Sequence, residues 1–331
     1  MKACIIDLDS KLRCYDISVG YKREINEAFI EIIYCSLNPL INHPEIYKNR
    51  KIEKPFIIGS EAVGYIKEVN ENTSLRAGDR VIVYPWIFCN LCPRCIAGLE
   101  YLCELGFLLG CFRDGLCREH IVLPIRNLVK TSSEIPLEIA STLGFTGSTA
   151  YHIYNTIITR GGRNIAILNA LNPIGIYLIQ LLSSSGMNVI TVSHERDTEY
   201  LINHYDIDRA ISFSDINVLE SLNIDTAILI VDPLCNISFN TSILSLKGRL
   251  VILDVLNLSK YKIDLSGICK KEIEIIGCRG SSRYDLIQCM NYAKRGILKP
   301  RILGIYGMYE YHDIWKLLTE NYTNGSILIK I

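Results

Sequence analysis

At 331 residues the chain is long enough for two domains, each with its own core. Lysine plus arginine (35) balances aspartate plus glutamate (35), which excludes a net electrostatic pull toward nucleic acid or an anionic membrane. A hydrophobic share of 49% with 21% charge is that of a globular protein, and Asn169, Asn172, Pro173 and Gln180 break the longest apolar run short of membrane-spanning length.

Residues 1–8 read as a strand rather than as a secretory leader. The thirteen cysteines are therefore expected as reduced thiols and metal ligands in a cytoplasmic setting, not as a disulfide framework. Residues 28–34, 64–69 and 80–84 are strand-like and are separated by turn signals such as Ala77-Gly78-Asp79, so the first third is β-rich. From about residue 146 strands and helices alternate. The pattern predicts strands at 164–169, 189–192, 227–231, 249–255 and 273–277, with helices at 173–185 and 198–204. Strand–helix alternation of this kind implies right-handed crossovers and a doubly wound parallel sheet of the Rossmann type, which binds a dinucleotide. The tail carries a helix at 284–295, a stop at Pro300 and a last strand at 327–331.

Cys89, Cys92, Cys95 and Cys103 form a C-x2-C-x2-C-x7-C cluster. Four thiolates from one loop can close a tetrahedral shell around zinc and leave no position for substrate, so the spacing predicts one structural Zn2+ per chain. Such a site holds a loop and performs no chemistry.

The order of motifs resembles the medium-chain dehydrogenase/reductase superfamily, that of the zinc alcohol dehydrogenases and quinone reductases, across essentially the whole chain. The segments that carry the resemblance are Gly59-Ser60-Glu61-Ala62-Val63-Gly64, Ala77-Gly78-Asp79-Arg80-Val81, the four-cysteine loop, Gly147-Ser148-Thr149-Ala150-Tyr151, Pro173-Ile174-Gly175, Lys247-Gly248-Arg249-Leu250-Val251 and Gly325-Ser326-Ile327-Leu328-Ile329-Lys330. The resemblance implies a GroES-like catalytic domain over residues 1–146, with its zinc loop at 86–105. It further implies a Rossmann domain over 147–279 and a return to the catalytic domain over 280–331. A homodimer or homotetramer acting on a small molecule is implied in the same way.

The zinc alcohol dehydrogenases hold a second, catalytic zinc at three places that here read Asn38, Ser60 and Phe145. An amide and a hydroxyl are poor zinc donors and phenylalanine is none, so a catalytic zinc is not expected. Without a Lewis acid, hydride delivery favours an acceptor that spreads the incoming charge itself: a quinone, a conjugated carbonyl or an enoyl thioester. Ser36-Leu37-Asn38-Pro39 resembles the matching segment of zinc-free quinone and enoyl-thioester reductases. Three residues are candidate catalytic groups. Asn38 either donates to a substrate carbonyl or caps the turn before Pro39. His43 is either a proton relay or a solvated loop histidine, and Tyr47 is either a proton donor or a packing residue.

The family's glycine-rich cofactor turn reads Asn169 to Gly175, with Ala170 and Asn172 in the first two glycine places and only Gly175 retained. Thr149 matches a threonine beside the nicotinamide, or else caps a helix. Ser193, His194 and Arg196 stand where NAD-dependent members carry an acid for the ribose; the missing carboxylate favours NADPH, with NADH left possible. Two other readings stay open: a non-catalytic descendant serving as a binding module, and a true zinc alcohol dehydrogenase.

Overall fold

The computed structural model describes residues 1–18, 20, 22–43, 46–47, 53–70, 73–111, 113–231, 239–255, 264–320 and 324–331. Two units emerge from the packing: Met1–Thr149 with Ser281–Ile331, and Ala150–Gly280.

The first unit is built on strand Glu27–Leu37. Its first seven residues alternate half-buried and buried, and its last four are enclosed on both faces. Glu61–Glu68 pairs with it antiparallel on one side and Ser326–Lys330 on the other, so residues from both ends of the chain share one sheet. The register sets Ser36 opposite Glu61 and Leu37 opposite Ile327, which brings the ends of three strands to one place. Helix Arg283–Lys294 begins on a capping box, with Ser282 accepting from the Asp285 amide and Asp285 accepting from that of Ser282.

In the second unit the strands are β1 (Asn164–Leu168), β2 (Asn188–Ser193), β3 (Arg209–Ser212), β4 (Ile224–Ile230), β5 (Leu244–Leu253) and β6 (Glu274–Cys278). All pairs are parallel, in the order β3-β2-β1-β4-β5-β6. This is the doubly wound Rossmann order, which reverses direction between β1 and β4 and leaves a crevice at the carboxyl ends of the strands. Strand β3 goes unanticipated because Arg209-Ala210-Ile211-Ser212 is a short edge strand with only two buried residues. Helix Pro173–Ser184 is apolar almost all round and buried along nearly its whole length, as a helix packed on the sheet centre must be.

One expectation fails. Cys4 and Cys14 are joined by a disulfide, whereas thiols were expected throughout. The antiparallel ladder between Lys2–Ile6 and Leu12–Asp16 sets the two residues directly opposite, with their Cα atoms 4.0 Å apart. Pairing across a hairpin is invisible to a reading based on compartment. Among the described residues, no helix is long and apolar enough to cross a membrane.

Candidate active site and structural metal centre

The four-cysteine loop folds into a cage. The Sγ–Sγ distances are 3.8 Å for Cys89–Cys95, 3.5 Å for Cys92–Cys95, 4.0 Å for Cys92–Cys103 and 3.6 Å for Cys89–Cys103. A tetrahedron of thiolates about 2.3 Å from zinc has edges of about 3.8 Å, so the four residues fit the ion. Cys92 precedes the short helix Pro93–Ile96, and left-handed backbone at Asn90 and Gly98 turns the chain around the cage. Backbone N–H groups of Leu91 and Cys92 donate to Cys89 Sγ at 3.4 and 3.3 Å, and the Cys89 amide donates to Cys103 Sγ at 3.4 Å. The first two donors favour the thiolate and hold the Cys89 thiol down to about 6. Asn127 anchors the base of the loop by donating to the carbonyls of Tyr84 and Trp86 at 3.0 and 2.8 Å. Among the described residues this is the only group of three or more histidine, cysteine, aspartate or glutamate ligands close enough to share a metal.

The second would-be metal place is different. Asn38, Ser60 and Phe145 are all fully enclosed. Asn38 caps helix Pro39–Asn42: its Oδ1 accepts the Leu40 amide at 2.9 Å, while its Nδ2 donates to Thr146 Oγ1 at 2.9 Å. Thr146 in turn donates twice to Glu61 Oε1, from its amide at 3.0 Å and from its hydroxyl. Burial pushes the Glu61 carboxyl well above the usual range, and the Thr146 bonds offset only part of that. Gly59 makes the approach to Ser60 possible, since it has φ 95° and a Cβ there would lie 2.4 Å from Cys35 Sγ.

His43 ends the helix that Asn38 begins and is buried, not solvated. Its place at the C-terminal end of an enclosed turn explains the difference. Tyr47 is also buried: its ring packs edge-on against Phe56, and its hydroxyl accepts from Asn42 Nδ2 at 3.2 Å. Desolvation pushes its phenol up. Thr146, the bridge between Asn38 and Glu61, was missed. The available signal was a hydroxyl residue within the otherwise apolar stretch around Leu143 and Phe145.

The cofactor turn follows β1. Asn169 takes the left-handed position at φ 65°, and the amides of Asn169 and Ala170 donate to the Val192 carbonyl at 2.9 and 3.1 Å. The turn is thereby pinned at Asn169 and Ala170 to the end of β2, next in sequence to Ser193. Asn172 has ordinary negative φ; it is the N-cap of helix Pro173–Ser184, its Oδ1 accepting the Ile174 amide at 3.0 Å. Positive φ thus falls on Asn169, three residues earlier than the glycine place that Asn172 fills. Gly175 is held by space: a Cβ would lie 2.3 Å from the Ala170 carbonyl oxygen. The start of this twelve-residue helix is enclosed, Pro173 has no N–H, and the Ile174 and Ile176 amides are taken by Asn172, so what it offers a phosphate is the positive end of the helix dipole. Ser193 closes β2 and donates to the His194 carbonyl at 3.4 Å, while the Arg196 side chain is 60% exposed. Thr149 Oγ1 is buried and has no hydrogen-bond partner among the described residues, so it does not cap the helix Ser148–Ile158.

Residues 24–133 match the alcohol dehydrogenase GroES-like domain. Acryloyl-coenzyme A reductase of Sulfurisphaera tokodaii is 27% identical over 288 residues, covering 85% of both chains. L-threonine 3-dehydrogenase of Caldanaerobacter subterraneus is 27% identical over 292 residues, covering 84% of this chain and 83% of that one. A cobalt- and zinc-bound thermostable alcohol dehydrogenase from Pyrobaculum aerophilum superposes with a TM-score of 0.86 at 23% identity, over 100% of this chain and 99% of that one, which is a likeness of fold.

Proposed function

We propose that the chain is an oxidoreductase of the medium-chain dehydrogenase/reductase superfamily that uses NADPH to reduce a carbon–carbon double bond conjugated to a carbonyl, without a catalytic zinc. The observation that carries this reading is the state of Asn38, Ser60 and Phe145. All three are enclosed, and the amide that could have approached a metal is committed to Leu40 and Thr146. That donor set does not fit zinc. An unactivated alcohol needs help to form its alkoxide, whereas an enone or enoyl thioester accepts hydride and delocalises the charge onto oxygen. The acryloyl-coenzyme A reductase relative acts on a compound of this class.

Cys89, Cys92, Cys95 and Cys103 would hold a structural zinc, which fixes the loop when bound. A bound reduced nicotinamide supplies the hydride. For it, Gly175 provides clearance at the turn, and the positive end of the Asn172-capped helix would attract the pyrophosphate. Ser193 puts no carboxylate against a 2′-phosphate, and Arg196, exposed and 3.9 Å from Asp197 Oδ1, is the nearby cation that would exchange that contact for a phosphate. Asn38, with one Nδ2 hydrogen beyond the Thr146 bond, is the nearest of the three candidate donors to the Glu61 network. His43, which ends the helix that Asn38 begins, and Tyr47, whose hydroxyl accepts from Asn42, remain candidates.

The test is NADPH oxidation across quinones, enones, enoyl thioesters and simple aldehydes. Turnover of the conjugated acceptors supports the reading. Turnover of simple aldehydes alone, or no saturable NADPH binding by nicotinamide fluorescence, overturns it.

A further inference from the structure

The chain of hydrogen bonds from Leu40 to Glu61 has only one consistent polarity. Asn38 Oδ1 accepts the Leu40 amide, so the other end of its amide group must donate, and it does so to Thr146 Oγ1. That hydroxyl has then spent an acceptor site and sends its own hydrogen to Glu61 Oε1, which also accepts the Thr146 amide. Oε1 is therefore an acceptor twice over. If the Glu61 carboxyl carries a proton, that proton is on Oε2. Glu61 is fully enclosed, and Oε2 has no partner among the described residues. Ser36, directly opposite Glu61 in the ladder, likewise has an enclosed hydroxyl with no partner among them. An enclosed bare carboxylate oxygen is far less favourable than an enclosed O–H, and burial acts on Glu61 in that direction. An O–H with no acceptor among the described residues leaves a place for one supplied by a bound molecule.

We propose that Glu61 is a neutral carboxylic acid whose Oε2–H donates a hydrogen bond to the carbonyl oxygen of the bound substrate. It thereby performs, by hydrogen bonding, the charge stabilisation that a metal performs in zinc-dependent relatives. The proposal rests on the reading of the chain as a reductase of conjugated carbonyls. In that reaction the β-carbon gains a hydride from the reduced nicotinamide. The π pair of the double bond shifts toward the carbonyl, leaving negative charge on its oxygen, and a solvent proton then completes the α-carbon. Glu61 loses no proton in the cycle; it holds the oxygen while the charge is there. Thr146 is a positioning residue, since it fixes which Glu61 oxygen carries the hydrogen.

The test combines infrared difference spectroscopy with kinetics on the full chain, using 2-cyclohexen-1-one as the probe. The unliganded protein at pH 7 is expected to show a protonated-acid C=O band that is absent from Glu61→Gln, and the band is expected to shift when the probe binds with NADP+. Glu61→Ala is expected to lower kcat about 100-fold with little change in KM, whereas Glu61→Gln, which still offers an N–H at the Oε2 position, stays within about tenfold of wild type. Thr146→Ser is expected to keep activity and Thr146→Val to lose it, a second pair that serves if Glu61→Ala does not fold. Absence of the acid band, or a band indifferent to the probe with Glu61→Ala fully active, overturns the proposal. If wild type reduces no conjugated carbonyl at all, the functional reading fails, while the band in the unliganded protein still decides whether Glu61 is neutral.

Discussion

Two places in the first unit answer the same problem, keeping polar side chains stable out of water, in opposite ways. The four-cysteine loop gathers four soft donors at tetrahedral spacing and leaves their charge to be met by a cation. The group around Asn38 and Glu61 closes its bonds internally, through a capping amide, a bridging hydroxyl and a buried acid. The first arrangement is incomplete without an ion. Among the described residues the second has no set of donors for one, and its bare polar atoms are Glu61 Oε2 and the enclosed hydroxyls of Ser36 and Ser60. On the proposed reading, one place holds a metal for stability and the other works by hydrogen bonding, which separates stability from chemistry within one unit.

The largest expected effect sharpens the metal side of this contrast. Cys103→Ser removes one of four ligands, and loss of a structural metal destabilises by more than about 4 kcal/mol. Thermal unfolding with parallel elemental analysis checks it: the melting temperature and the zinc content should fall together. A fall in either alone would detach the cage from stability.

Gly175→Ala comes next and probes the cofactor turn of the second unit. The added methyl meets the Ala170 carbonyl oxygen at 2.3 Å, so helix and turn must part. The expected cost is about 1–3 kcal/mol of stability together with a clear loss of NADPH affinity in a fluorescence titration. Unchanged affinity would mean that this turn does not hold the pyrophosphate.

Glu61 tests the hydrogen-bonded side through pH. Its folded carboxyl titrates above the unfolded value, about 4.3, so between those two values the native chain holds a proton that the unfolded chain has released. The associated stability is fully present below about pH 4.3 and is lost as pH rises toward the folded value. Glu61→Gln lacks this dependence, so its stability relative to wild type should rise by up to about 1.4 kcal/mol per pH unit across that window. Denaturant titrations from pH 5 to pH 8 measure the difference, and a flat difference would indicate an ionised Glu61. The smallest effect is Asn172→Ala, which removes the cap that accepts the Ile174 amide; about 1 kcal/mol is expected in denaturant melts.

Much of this was legible in the residues because it depends on local spacing. The cysteine loop is one short segment. The strand–helix alternation of the second unit is a periodicity, and Gly175 marks a close approach that only glycine allows. What stayed hidden depends on contacts far apart in sequence. Thr146 meets Glu61 across 85 positions and Asn38 across 108, and neither partner signals the other. Burial of His43 follows from the enclosure of a short helix, which polarity alone argues against. The turn kept a left-handed residue, but at Asn169, because Asn172 was needed to start the helix. The Cys4–Cys14 bond follows from hairpin register, which no spacing rule supplied.

The central claim, one metal site kept and one converted to hydrogen bonding, is tested most directly by the zinc content of the purified full chain, measured by elemental analysis after growth in zinc-supplemented medium. The account predicts one zinc per chain, lost in Cys103→Ser and retained in Glu61→Ala. Two zincs per chain, with one of them lost in Glu61→Ala, would contradict it.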